Sequence, residues 1–263
     1  MSARVVLMSC ALLGLAACRA DTVELVYRFP EEAREYRLEA EVAGRWDIGG
    51  AGSGSCRVVL DVTENVREQG EDTAAVEVTM TPVEIEENGL GCPRGGGFAL
   101  ELDPNGRVLE VLEVDGVDAT ELRQEEVAFI GTYRPTLPET PVALGDTWRS
   151  DPQREVGSIA QLAAEGELES LYMDDDGPVA ELSYAGSGPL EWRANLPQGG
   201  ARLAGTADTG ATAKFDVDRG VLLSATSTFT GDFDVRVQPS SNGGTPVTGT
   251  LHLELDLTVS ARS

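Results

Sequence analysis

Few side chains in this sequence are of a type and spacing that could do chemistry. His252 is the only histidine and lies among acidic neighbours in an alternating run, and no Gly-x-Ser-x-Gly motif supplies a serine nucleophile. We interpret it as a surface histidine. The run Asp174–Asp176 before Gly177 lacks the ligand spacing and the distant glutamate of an EF-hand loop, which predicts a hairpin turn. We therefore predict no catalytic residue, no metal site and no cofactor, and we expect that the protein is not an enzyme.

The start of the chain combines the features of a secretory signal. Arg4 precedes an apolar stretch that is too short to span a bilayer, and Leu15-Ala16-Ala17-Cys18 follows it. This run resembles the lipobox of bacterial lipoproteins. The resemblance implies that residues 1–17 are a signal peptide and that Cys18 receives a diacylglyceryl thioether and a further acyl chain such as palmitate. An ordinary secretory signal with a cysteine near its cleavage site is the alternative.

The same resemblance implies a location. A protein acylated at Cys18 would be anchored to a membrane of the cell envelope, on its extracytoplasmic side. Two or three acyl chains make such an anchor durable, because each buried methylene contributes about 0.8 kcal/mol. The membrane, bound through this lipid, is thus the first predicted partner.

Charge excludes another class of partner. The chain has 45 acidic and 20 basic residues, for a net charge of −25. A surface of this sign repels phosphate backbones and anionic headgroups. Nucleic-acid binding is therefore not expected.

Cys56 and Cys92 are the cysteines that remain beside Cys18 once residues 1–17 are removed. In an oxidising compartment such a pair is most simply a disulfide. The bridge would close a loop of about 37 residues and constrain the unfolded chain by roughly 3 to 4 kcal/mol. Two free thiols or a metal site are the alternatives, although a single histidine and the lack of Cys-x-x-Cys spacing disfavour a metal.

Apolar and polar residues alternate with a period of two along most of the chain. Such a strand has one apolar and one charged face, which fits an antiparallel sheet with one solvated face. Between Met80 and Val83 the phase slips across Thr81-Pro82, and this predicts a bulge or a sheet edge. The clearest alternating runs are Tyr36 to Val42, Cys56 to Val62, Val76 to Met80, Phe98 to Leu102, Ala213 to Val217 and Leu251 to Val259.

A helix is predicted at one place, where Asp118 could cap a segment that carries Glu121 and runs to about Ile130. Residues 151–169 carry both helical and alternating patterns, and we favour a strand there. The predicted fold class is mainly β: one or more antiparallel sheets with long amphipathic strands, arranged as a sandwich or a curved half-barrel, with one short helix.

Five regions are predicted along the chain, the first two of them from the lipobox resemblance. They are a signal peptide (1–17), a lipidated N-terminus and tether (18–22), a first β half (23–133), a Pro-rich connection (134–145) and a second β half (146–263) that packs with the first as one unit. The halves could be a duplication, since two hairpins look alike, or β-hairpins could simply resemble one another. The run from Pro141 to Trp148 resembles part of secreted bacterial β-domains, a resemblance that implies no activity.

Two functions fit these features. The first is a membrane-anchored, exported lipoprotein whose β-rich domain is a non-enzymatic interaction or structural module. The second is a carrier that holds a lipid or another hydrophobic ligand in the cavity of a curved sheet. The two differ in the space over the apolar face, because a carrier needs an open apolar cavity of several hundred Å³.

Overall fold

The computed structural model describes residues 22–118, 133–150, 162–196, 199–239 and 245–262. These residues form twelve β-strands in one antiparallel sheet, and they contain no helix. The strands are β1 Arg34–Ile48, β2 Ala51–Gln69, β3 Ala74–Asn88, β4 Gly96–Leu102, β5 Val108–Val114, β6 Val117–Asp118, β7 Thr147–Ser150, β8 Ala164–Met173, β9 Pro178–Leu196, β10 Gly199–Asp216, β11 Val221–Pro239 and β12 Val247–Ala261.

The sheet consists of two meanders joined by the first and last strands. Its order is β6-β5-β4-β3-β2-β1-β12-β11-β10-β9-β8-β7, so consecutive strands pair with each other except β6 and β7, and β1 also pairs with β12. Leu38 lies opposite Val259 at this junction. The sheet is therefore open between β6 and β7, the two strands at its edges.

The predicted antiparallel β fold is confirmed, and the strands form one curved sheet, not a sandwich. The phase slip after Met80 is a β-bulge, because Val59 pairs with Glu84 whereas the next residue, Leu60, pairs with Pro82. Val83 is the extra residue. Turns at residues 103–106 and 218–220 connect β4 to β5 and β10 to β11.

The predicted helix from Asp118 to Ile130 is not seen in the described residues. Asp118 is the last residue of β6, and residues 119–130, which would form that helix, lie outside the described ranges. The strand favoured at 151–169 is confirmed for its last part by β8, while residues 151–161 also lie outside those ranges.

Two consecutive residues show how strongly the sheet curls. The Tyr27 amide donates to the Pro104 carbonyl in the β4–β5 turn, and the Arg28 amide donates to the Gly220 carbonyl in the β10–β11 turn. In a flat sheet these turns would lie about six strand spacings, or roughly 29 Å, apart. The sheet must therefore curve, and its inner, concave face carries the apolar core.

The main core contains residues from strands on both sides of the β1–β12 junction, together with chain from outside the sheet. Phe215 of β10, Leu100 of β4 and Val58 of β2 are fully buried within it. A second cluster lies farther along the inner face of β9, β10 and β11. Its members are Leu190, Ala201, Leu203, Ala207, Phe233, Val235 and Val237.

Candidate functional site

Two segments of the chain cover the inner face of the sheet. The N-terminal segment (residues 22–33) places Leu25, Tyr27 and Phe29 in the core, with Leu25 only 1% exposed. The ring of Tyr27 meets the ring of Phe215 edge-on at 5.2 Å. Buried and exposed side chains alternate along the segment as they do in a strand, although only a few main-chain hydrogen bonds hold it to the rest of the protein.

The second cover is the connecting segment (residues 133–146), which contains the Pro-rich run. It buries Tyr133, Leu137 and Val142, and Val142 forms an antiparallel bridge with Val23 of the N-terminal segment. The Leu137 amide donates to the carbonyl of Asn105 at 2.9 Å. The run predicted as a connection between two halves is thus also part of the core.

A buried ion pair lies where the connecting segment meets β2. Nε of Arg134 donates a hydrogen bond to Oε1 of Glu64 at 2.9 Å, Nη2 of Arg134 forms an ion pair with Oε2, and the Tyr133 hydroxyl also donates to Oε1. Both charged side chains are almost fully buried, at 4% and 3% exposure. The guanidinium carbon also lies 5.5 Å from the ring centroid of Tyr27 and 5.9 Å from that of Phe29.

The environment of the ion pair shifts the pKa values of Tyr133 and Arg134. Burial raises the pKa of Tyr133 well above its ordinary value, and the Glu64 carboxylate raises it further. Burial is the largest single influence on the pKa of Arg134 and would lower it, but the charge of Glu64, its hydrogen bond to Arg134 and the neighbouring Tyr133 and Tyr36 together raise that pKa. Arg134 therefore stays protonated, and Tyr133 stays a hydroxyl that can donate.

A cavity of about 650 Å³ opens at the end of the sheet that carries the β2–β3 and β10–β11 turns. Its apolar lining includes Tyr27, Phe29, Tyr36, Val221 and Leu222. The cavity is also lined by charged side chains that balance in sign, four arginines and four carboxylates. These are Arg28, Arg34, Arg219 and Arg262 with Glu32, Glu35, Glu71 and Asp218.

The arginines of the cavity differ in their partners. Arg262 bonds Asp61 at 2.9 Å, and Arg219 lies 3.9 Å from Asp216. Among the described residues, no carboxylate lies within 4 Å of the guanidinium of Arg28 or Arg34. Arg34 donates to the Arg28 carbonyl, and burial lowers its pKa from the ordinary value.

The predicted disulfide is present. Cys56 lies on the inner face of β2, Cys92 lies in the connection between β3 and β4, and their sulfurs are bonded. The amide of Cys92 also donates to the Glu87 carboxylate at 3.0 Å. The bridge therefore fixes the β3–β4 connection against β2.

His252 lies on β12 between two carboxylates. Its Nδ1 is 2.8 Å from Asp232 on β11, and its Nε2 is 2.9 Å from Glu254, which also binds Arg45. Hydrogen bonds to Glu254 and Asp232 raise the pKa of His252. Since both ring nitrogens already have carboxylate partners, neither is free to accept a proton from a hydroxyl nucleophile.

The remaining predicted features are placed as follows. Asp174 accepts hydrogen bonds from the amides of Asp176 and Gly177, so this acidic run is the predicted hairpin turn between β8 and β9. Cys18 lies outside the described residues. Within those ranges, no set of three or more histidine, cysteine or acidic side chains is arranged to hold a metal. Nor do those ranges include a helix with the length and hydropathy of a membrane span.

The comparison with known protein families is brief. No family model matches this chain. A search of curated proteins finds no match either. The site is therefore interpreted from its own geometry.

The residues that sequence reasoning missed are Glu64, Arg134 and the cavity arginines. Glu64 could have been found, because it continues the inner-face positions Cys56, Val58, Leu60 and Val62 of β2, where a charge is out of place. No comparable signal marks Arg134, since the Pro-rich run has no periodicity. Arg28 and Arg34 come together with the far turns only through the curvature of the sheet.

Proposed function

We propose that this protein is a membrane-anchored, exported bacterial lipoprotein of the cell envelope, with a non-enzymatic β-rich domain that acts as an interaction or structural module. The observation that carries the choice of a module is the occupied inner face of the sheet. Leu25, Tyr27 and Phe29 from one segment, with Leu137 and Val142 from the other, fill the space over the main core. The apolar face serves the fold itself.

Export and anchoring are supported by the chemistry of the cysteines. Cys18 stands at the position that a lipobox requires, and the Cys56–Cys92 disulfide fits a compartment outside the reducing cytoplasm. Val23, which is already bonded into the fold, follows Cys18 by five positions. A tether of that length spans at most about 18 Å, so the domain would stay close to the membrane surface.

The absence of enzymatic activity is supported by His252. A general base must reach the proton that it removes, and the two nitrogens of this ring are each bonded to a carboxylate. The ring therefore supports surface packing between β11 and β12 and not acid-base chemistry.

The carrier function has weaker support. A hydrophobic ligand needs a largely apolar cavity, whereas the cavity of about 650 Å³ is bordered by eight charged side chains. Recovery of lipid with the Cys18→Ser protein, which carries no acyl anchor of its own, would favour the carrier. We expect native mass spectrometry of this variant, purified in nonionic detergent, to show the protein mass without bound lipid.

Anchoring is tested by metabolic labelling with a fatty-acid analogue in a bacterial host. Cys18→Ser should abolish the label and release the protein from the membrane fraction. Cys10→Ser is the matched control, because Cys10 lies in the segment that cleavage removes and its loss should leave labelling unchanged. Unchanged labelling of the Cys18→Ser protein would refute the lipid anchor.

A further inference from the structure

We infer that the charged cavity at the end of the sheet binds a small zwitterion, a molecule with a carboxylate or phosphate group and an ammonium group, such as a short peptide with free termini. This site is separate from the lipid anchor and does not depend on it. Its volume of about 650 Å³ lies within the range of roughly 300–1,000 Å³ that is usual for small-molecule sites.

The first argument is that two arginines of the cavity have no carboxylate partner among the described residues, in a protein that is strongly acidic. Many arginines elsewhere in the described chain bind carboxylates, as Arg37 binds Asp61 and Arg202 binds Glu191, although the exposed Arg236 does not. Arg28 and Arg34 do not, although both line the cavity. Arg34 is half-buried, so its charge is partly removed from water without an anion beside it. An incoming carboxylate or phosphate could form a paired hydrogen bond with such a guanidinium.

The second argument concerns the carboxylates of the same cavity. Glu32 and Glu71 line it as well, and within the described ranges neither makes an ion pair. A ligand with an ammonium group would satisfy these carboxylates while its anionic group satisfies the arginines. Two opposite sets of uncommitted charges thus favour a ligand that carries both signs.

The third argument is long-range electrostatics. The whole chain carries a net charge of −25, so a ligand with several negative charges is repelled as it approaches. A zwitterion has no net charge and does not experience this repulsion. The aromatic side chains of Tyr27, Phe29 and Tyr36 would contact its apolar part.

The test is calorimetric titration of the full chain, in nonionic detergent, with the tripeptide Ala-Ala-Phe. We expect millimolar or tighter binding that weakens about tenfold or more when the peptide is amidated at its C-terminus or acetylated at its N-terminus, as the loss of one charge-assisted hydrogen bond predicts. Glycerophosphoethanolamine, which carries a phosphate in place of the carboxylate, is the second probe. Binding of this probe alone also supports a zwitterion site and assigns phosphate as its anionic group.

Variants connect the binding to the cavity. Arg34→Gln should weaken binding of the free tripeptide by about tenfold, and so should Glu71→Gln, which lies in an exposed turn and is not part of the core. Arg236→Gln is the matched control, because Arg236 is exposed on β11 and does not line the cavity. No heat with either probe, equal binding of the free and acetylated peptides, or equal effects of all three substitutions would overturn the inference.

Discussion

Glu64 and Arg134 form an ion pair inside the protein although they are 70 positions apart in the chain. The pair joins β2 to the connecting segment and is enclosed by Tyr27, Phe29 and Tyr133. Four atoms of buried side chains have no hydrogen-bond partner among the described residues, and three of them belong to this pair. The fold therefore places a charge where desolvation is expensive and balances it with one opposite charge.

Removal of one partner of the ion pair should lower the free energy of unfolding much more than removal of both. Glu64→Gln leaves the Arg134 guanidinium buried without its anion, and we expect it to lower the free energy of unfolding by about 3–5 kcal/mol. The double variant Glu64→Leu with Arg134→Met should lose clearly less, because no uncompensated charge remains. Urea unfolding followed by tryptophan fluorescence measures both. Glu84→Gln, which breaks an exposed pair with Arg57, should change stability by only about 0–1 kcal/mol.

The N-terminal segment should depend on Gly220. This residue has a φ of +62°, and a Cβ on it would lie 2.5 Å from Cγ of Arg28 and 2.7 Å from the Val26 carbonyl oxygen. Gly220→Ala should therefore destabilise the protein by more than the roughly 1–2 kcal/mol of a left-handed residue alone. It should also speed hydrogen exchange in residues 23–29.

Gly116 provides the comparison for that substitution. It has a φ of +79° in the β5–β6 turn, and nothing lies within 4 Å of its Cβ position. Gly116→Ala should thus lose stability because alanine disfavours this positive φ, but hydrogen exchange in the N-terminal segment should not become faster. Equal behaviour of the two variants would contradict a tight fit of the segment at Gly220.

The disulfide should stabilise the protein through its unfolded state. Replacing Cys56 and Cys92 together by serine should lower the free energy of unfolding by about 3–4 kcal/mol, because the open chain regains the entropy of a closed loop. Intact masses after alkylation, with and without reduction, should differ by two modified thiols. Equal masses would mean that the two residues do not pair in the protein.

His252 should make stability depend on pH. Its carboxylate neighbours raise its pKa above the ordinary 6.5, so the folded state binds the proton more tightly than the unfolded state. The stabilisation is therefore complete below pH 6.5 and is lost as the pH rises through the higher pKa of the folded protein. The stability difference between the wild type and His252→Gln should shrink over that range.

The pKa of His252 can also be measured directly. His252 is the only histidine in the chain, so its ring protons can be followed by proton NMR without assignment of other histidines. We expect a midpoint above 6.5 in the wild type and a lower midpoint in Asp232→Asn, which removes one of the two carboxylates. A midpoint unaffected by that substitution would contradict the role of Asp232.

Alternation along the chain predicted the strands because each strand has one face in the core and one in solvent. The bulge after Met80 was predictable for the same reason, since one extra residue reverses the phase. The cysteine pair was predictable from its count and its expected compartment. The helix predicted from Asp118 rested on local capping chemistry alone, and after Asp118, the last residue of β6, its residues lie outside the described ranges.

Sequence patterns predicted the long amphipathic strands, the hairpin turn at Asp174–Asp176 and the pairing of Cys56 with Cys92, because these features depend on local periodicity and on few alternatives. Only the tertiary structure shows that the strands form one curved sheet with β1 against β12. It also decided that residues 22–33 and 133–146 fill the inner face, and that Glu64 meets Arg134. Such relationships depend on curvature summed over many strands, which brings together residues whose separation along the chain carries no local signal.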